Sequence, residues 1–288
     1  MRFLPSDIVT ILFSLIFSSL CIYALYKNFN LWHILILYLS FAIFQTFLVL
    51  NNNKNYFLKI LRELIFPLVT VFSIFDSLTL LIPAVNPKDI DYLLIRLDYL
   101  IFGGYPTLLF EDFLHPLLSD FLQICYSLYY FMPFMLGIAL KIKGNDTAFE
   151  RSLFLVLLCF YLSYLGYVIF PALGPRYAIE HLHSKEIVDG ALSGFIRDIL
   201  NFIEGTKRDA FPSGHTGISL LLLLLSWSYA RKLFWLFLII TLGLLTATIY
   251  FRYHYVVDLI GGVILTVVTI IIGKVYYSTY KSFTKIQR

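Results

Sequence analysis

The stretch FPSGHTGISLLLLLLSW, residues 211–227, places a serine, two glycines and a histidine directly before an unbroken apolar run. Read as the mouth of a helix, it gathers free backbone amides and the positive end of the helix dipole, and glycine lets an anion approach the backbone closely. The expectation is a phosphate site at the end of an apolar helix. The rest of the chain has to supply its partners.

Composition sets the class. Over 288 residues the chain is 59% hydrophobic and 14% charged, with a mean hydropathy of +0.81, which describes a polytopic membrane protein and excludes an ordinary soluble domain. Apolar spans are expected near 8–26, 31–50, 64–83, 119–140, 152–171, 214–230, 233–251 and 255–276, each long enough as a helix to cross roughly 30 Å of hydrocarbon. The fold class expected is therefore an all-α membrane bundle of about eight transmembrane helices, the first retained and not removed as a signal peptide. Cys21, Cys125 and Cys159 fall inside spans far apart in sequence, where they read as small apolar residues. The formal charge of +4 is scattered over short loops and gives no nucleic-acid surface.

Eight spans put both termini on one side. That side collects Arg2, Lys54, Lys59, Arg62, Lys141, Lys143, Arg151, Arg231, Lys232, Lys274, Lys281, Lys285 and Arg288, which is 13 of the 22 basic residues. The opposite side has longer loops and fewer cations, so the termini are expected in the cytoplasm and residues 172–213 and 252–255 on the extracytoplasmic or luminal face. Two non-spanning stretches stand out. Residues 86–116 carry Asp91, Arg96 and Asp98 among apolar residues, as an interfacial amphipathic helix would. The long connection 172–213 contains ALSGFIRDILNFI, a second helix of that kind. The domain organisation expected is N-terminal helices over 1–85, a catalytic membrane unit over 86–276 and a basic cytoplasmic tail over 277–288.

Three polar clusters converge on the outward side: Gly174, Pro175 and Arg176 after the fifth span; Ser213, Gly214 and His215 at the mouth of the sixth; and Arg252, His254 and Asp258 where the eighth begins. The sixth and seventh spans are joined by a tight turn near Arg231 and Lys232, so they are antiparallel neighbours and His215 can face His254 at one depth. His254 and Asp258 are four apart, about one helical turn, so the carboxylate can hold one imidazole nitrogen and leave the other free to act as base or nucleophile.

These residues carry a resemblance. FPSGHTG, followed 39 residues after its histidine by His254 and then Asp258, resembles the second and third signature motifs of the phosphatidic acid phosphatase type 2 superfamily. The string TATIYFRYHYVVDLIGG, residues 246–262, is similar to the branch containing inositol phosphorylceramide synthase. The resemblance implies a six-helix phosphatase core preceded by additional helices, and a lipid phosphate or phospholipid as substrate. In this reading His254 attacks phosphorus to form a phosphohistidine, Asp258 orients it, and His215 protonates the leaving oxygen. Arg176, Ser213 and Gly214 would bind the phosphoryl oxygens, with neither metal nor cofactor implied.

The chain departs from the family pattern at four places. Ala247 and Thr248 stand where phosphatases have a Ser-Arg pair, and Ile169 and Tyr177 replace the lysine and proline of the first motif. Arg252, Lys207 and Arg208 are the cations expected to compensate, and the change favours transfer to a lipid alcohol over hydrolysis. A water-using lipid phosphatase and a non-catalytic lipid-binding or transport protein are the alternatives. Arg176 and Arg252 also suit snorkelling to headgroups, and Lys207 and Arg208 a solvated loop. Asp76, an acid inside a span, reads either as a functional group or, the reading preferred, as a buried partner of a Ser or Tyr on a neighbouring helix. The EHLH of residues 180–183 lacks a second cluster and is not read as a metal site.

Overall fold

Runs of Leu, Ile, Val and Phe this long become helices in hydrocarbon because no water is present to satisfy backbone amides and carbonyls. The computed structural model describes residues 3–51, 55–203 and 205–286, and no strand occurs among them. In chain order the helices are α1 (Pro5–Tyr26), α2 (Trp32–Asn51), α3 (Tyr56–Val85), α4 (Asp91–Phe102), α5 (Pro106–Phe113), α6 (Pro116–Ile142), α7 (Asp146–Ile169), α8 (Ser193–Ile203), α9 (Gly214–Tyr229), α10 (Arg231–Tyr250) and α11 (Val256–Ile286). The expected all-α polytopic bundle is what forms. Among the described residues seven helices, α1, α2, α3, α6, α7, α10 and α11, are long and apolar enough to span a membrane. The remaining expected span, α9, has 16 residues, about 24 Å of helix at 1.5 Å per residue. Its first residues are held by protein: the Ser213 amide donates to the Asp258 carbonyl at 3.1 Å.

Helix α7 is the centre of the bundle, with α1, α3, α6, α9 and α11 packed around it. Its polar side chains find partners across helices, as hydroxyls buried in a membrane bundle must. Tyr161 meets Thr70 of α3 at 2.8 Å and Thr10 of α1 at 3.4 Å. At the opposite end from the histidines, Asp7 of α1 takes Gln45 of α2 and pairs with Arg62, which lies in a π-helical turn of α3. Arg62 is thus a buried ion-pair member and not the loop cation expected. Arg2, Lys54 and Arg288, and the side chains of Lys281 and Lys285, lie outside the described residues.

Proline and glycine place the irregularities. Pro133 lacks an amide and crowds the preceding turn, and the ladder of α6 tightens to a 3₁₀ turn at Tyr129–Phe131. Gly103, at φ 69°, ends α4 in the left-handed region, and α5 then departs at 62° to it. The stretch expected as a second amphipathic helix forms α8. Phe195, Ile199 and Phe202 face outward, while Asp120 of α6 accepts the Ala191, Leu192 and Ser193 amides at 2.8–3.0 Å and fixes its start. Helix α11 continues without a break through the region expected as a tail as far as Ile286.

Candidate active site

Serine 213 accepts from the Thr216 amide at 3.2 Å and from the Thr216 hydroxyl at 3.0 Å, which makes it the N-cap of α9. That cap lifts His215 into the first turn. Opposite it, α11 comes so close that a Cβ on Gly262 would stand 2.5 Å from the Thr216 Cβ and 2.6 Å from the Ser213 carbonyl oxygen. Only glycine permits this crossing. Thr266 of α11 then donates to the Gly217 carbonyl at 2.9 Å and locks the two helices.

The crossing produces a line of three side chains. His215 Nδ1 and His254 Nε2 are 3.4 Å apart, and His254 Nδ1 is 3.4 Å from the Asp258 carboxylate. The same Asp258 oxygen accepts the Tyr255 amide at 2.8 Å. His254 and Asp258 are buried, whereas His215 is partly accessible and sits between the rings of Tyr126 and Tyr129, each centroid 4.9 Å away. Burial pushes the His254 imidazole down to about 4, with Asp209 and the Ala210 carbonyl pulling in the other direction. Near neutral pH it is therefore a neutral base with a lone pair.

The cations are distributed differently from their order in the sequence. Arg176 donates to Asn201 at 3.0 Å and to the Tyr177 hydroxyl at 2.9 Å, and its guanidinium lies 5.4 Å from the centre of the Tyr253 ring, next to His254 in the chain. Lys207 stands 5.5 Å over the Tyr177 ring, so it shares that aromatic surface with Arg176. Arg252 and Arg208 are engaged elsewhere. Arg252, in the left-handed region at φ 63°, pairs with Glu111 at 3.3 Å and donates to the Lys185 carbonyl. Burial opposes the Glu111 charge, yet hydrogen bonds from Ser184 and the nearby Arg252 hold its carboxyl below the usual range. Arg208 forms a two-point contact with Asp89. Gly214 is approached by the Tyr167 hydroxyl, which lies 2.4 Å from where a Cβ would be.

Sequence reasoning missed two groups. Asp91 and Asp98 were read only as the polar side of an interfacial helix, but both are buried. Asp91 accepts the Leu173 and Gly174 amides and the Tyr255 hydroxyl, all at 2.9 Å, and Asp98 accepts the Val256 and Val257 amides at 3.0 and 2.9 Å. Their seven-residue separation, two turns on one face of α4, was the available signal. The other is Asp209, which with His215, Gly214 and Tyr167 lines one end of a cavity of about 740 Å³. Its position six residues before His215 was visible, but its direction was not. Asp76 also lines this cavity and is exposed, so the expected burial is corrected. His183 of the EHLH segment is held by the Ile179 carbonyl at 3.1 Å and Thr107 at 3.3 Å.

An all-α membrane bundle with two histidines and an aspartate in line at one end is the class of protein that the fold and site define. A match to the PAP2 superfamily covers residues 93–272, and the chain belongs to that superfamily. It is also similar to a PA-phosphatase related-family protein of Dictyostelium discoideum, 29% identical over 112 residues, which are 38% of this chain and 20% of that protein. The match thus spans about a fifth of the relative's length. No solved structure gives a significant match.

Proposed function

We propose that the protein is a lipid phosphotransferase or phosphatase that works through a phosphohistidine on His254. The observation that carries this reading is the line Asp258, His254, His215, with its two 3.4 Å contacts. Asp258 holds Nδ1, so the Nε2 lone pair is the nucleophile, and it points to the side where His215 stands. Attack on phosphorus forms the N–P bond as the P–O bond to the leaving group breaks, and the leaving oxygen takes a solvent proton relayed by His215. His215 then takes a proton from the incoming water or alcohol, whose oxygen attacks phosphorus as the N–P bond breaks. Arg176 and Lys207, grouped around Tyr177 beside the Tyr253 ring, are the cations placed to neutralise phosphoryl oxygens.

Transfer to a lipid alcohol, the chemistry of the inositol phosphorylceramide synthase branch, is the version favoured. The place of the family's third-motif arginine is taken by Thr248, fully buried in α10. Two of the three compensating cations, Arg252 and Arg208, are paired with carboxylates. A site with so few committed cations suits a phosphodiester, which carries one negative charge, better than a doubly charged monoester. The test is incubation of purified protein with headgroup-labelled phosphodiester and phosphomonoester lipids, with and without lipid alcohols, followed by product identification and acid-labile phosphohistidine trapping. Label transfer from the diester to the alcohol is expected. Release from the monoester alone would establish the water-using phosphatase instead, and stoichiometric lipid binding with no turnover would retire the enzymatic reading.

A further inference from the structure

The cavity beside His215 is not a local pocket. Its lining follows one face of α3 from Tyr56 to Asp76, of α6 from Tyr129 to Ile142 and of α7 from Asp146 to Tyr167. On α3 and α7 those stripes cover about 30 Å of helix at 1.5 Å per residue, close to the whole hydrocarbon thickness of a bilayer. The catalytic end carries His215, Asp209 and Tyr167. At the far end Lys141 bridges Glu63 at 2.8 Å and Asp146 at 2.9 Å, a charged plug at the opposite interface. Between the two ends the walls are chiefly Leu, Ile, Val, Phe and Pro, and Leu64, Phe72 and Ile138 are exposed along the groove, so it opens sideways to lipid.

A tail confined to one leaflet reaches about 15 Å, half the hydrocarbon core. It would leave the inner half of this groove unfilled. We infer that the groove holds a hydrocarbon tail that continues past the bilayer midplane, so that the substrate at the histidines is a phosphate-linked lipid with a very long tail. The occupant is fixed by continuity, because the groove begins at the proposed proton donor, and by its apolar walls, which suit no polar ligand. One wall, α3, lies outside the PAP2-matched residues 93–272. The length selection therefore belongs to this chain's own N-terminal helices. The inference rests on the proposed lipid-phosphate chemistry.

The experiment is a tail-length series of otherwise identical lipid substrates, saturated and polyprenyl, compared by kcat/KM in nanodiscs. Tails longer than one leaflet should be preferred by at least tenfold. Two plugs then act as a ruler. Leu153→Trp stands fourteen residues below Tyr167 on α7, about 21 Å along the groove, and Gly137→Phe stands deeper, on α6 against Phe149, which is eighteen residues below Tyr167, about 27 Å. A Cβ at Gly137 meets only Phe149, at an ordinary 3.4 Å, so the helix tolerates the change. Leu153→Trp should remove the advantage of all tails beyond its level, and Gly137→Phe only that of the longest. Absence of any length preference, or plugs that lower short and long tails equally in protein with native melting, overturns the inference. A diazirine at the tail end gives a readout independent of turnover: long tails should label α7 near Phe149 and short ones near Tyr164. Labelling of this kind without catalysis would keep the groove and dismiss the enzyme, whereas catalysis with no such labelling would do the reverse.

Discussion

At His254, burial and hydrogen bonding act together on one ring. The apolar surroundings favour its neutral form, and Asp258 fixes which nitrogen is free. His254→Ala should lower turnover by at least about 10³-fold with the fold retained, since the proposed covalent intermediate forms on this ring, and Asp258→Asn by about 10²–10⁴-fold through loss of tautomer control. Single-turnover assays on melting-matched variants check both. The acid limb of kcat/KM tests the electrostatics. The proposed nucleophile is active when neutral, so activity should persist as pH falls below the ordinary imidazole value of 6.5 and fail only as it nears about 4. Asp209 favours the protonated ring, so Asp209→Asn should move that limb to still lower pH. An unmoved limb would show that the carboxylate does not act on His254.

Among the elements, α4 is the one that fastens the motif segments. Its two buried carboxylates collect the amides that open α11 and the turn at 173–174, so a single short helix fastens two of the three motif segments. Asp98→Ala leaves two amides without their acceptor, and a loss of about 1–3 kcal/mol is expected. The melting temperature in detergent should fall, and kcat should fall more than KM rises, because His254 and Asp258 are carried by the segment that loosens. Gly174 is the companion device. At φ 83° its Cβ would stand 2.5 Å from the Tyr253 carbonyl oxygen, so Gly174→Ala should force apart the Arg176 and His254 segments and depress activity at unchanged expression.

For the whole molecule, the histidine site and the α9–α10 turn at Ala230 lie at opposite ends of one helix pair. The positive-inside bias predicts Arg231 and Lys232 in the cytoplasm and the histidines on the outer or luminal face. In a variant lacking Cys21, Cys125 and Cys159, a cysteine replacing Ser184 should react with impermeant reagent from the outer side and one replacing Lys232 only after permeabilisation; the reverse pattern would invert the topology. How much was legible beforehand follows from where the information lies. Apolar runs and the spacing of His215, His254 and Asp258 are carried by contiguous or helically periodic residues. The sequence by itself therefore determined the membrane class, the helical bundle and the superfamily motifs. The fate of each cation was decided only in three dimensions, because Arg252 and Arg208 meet Glu111 and Asp89, acids more than a hundred residues earlier in the chain. Tertiary structure alone also turned Asp91 and Asp98 inward and set α3 beside α6 and α7 to form the groove. An ion pair or a groove wall depends on which helix becomes a neighbour, and local periodicity fixes a helix's face without naming what that face will meet.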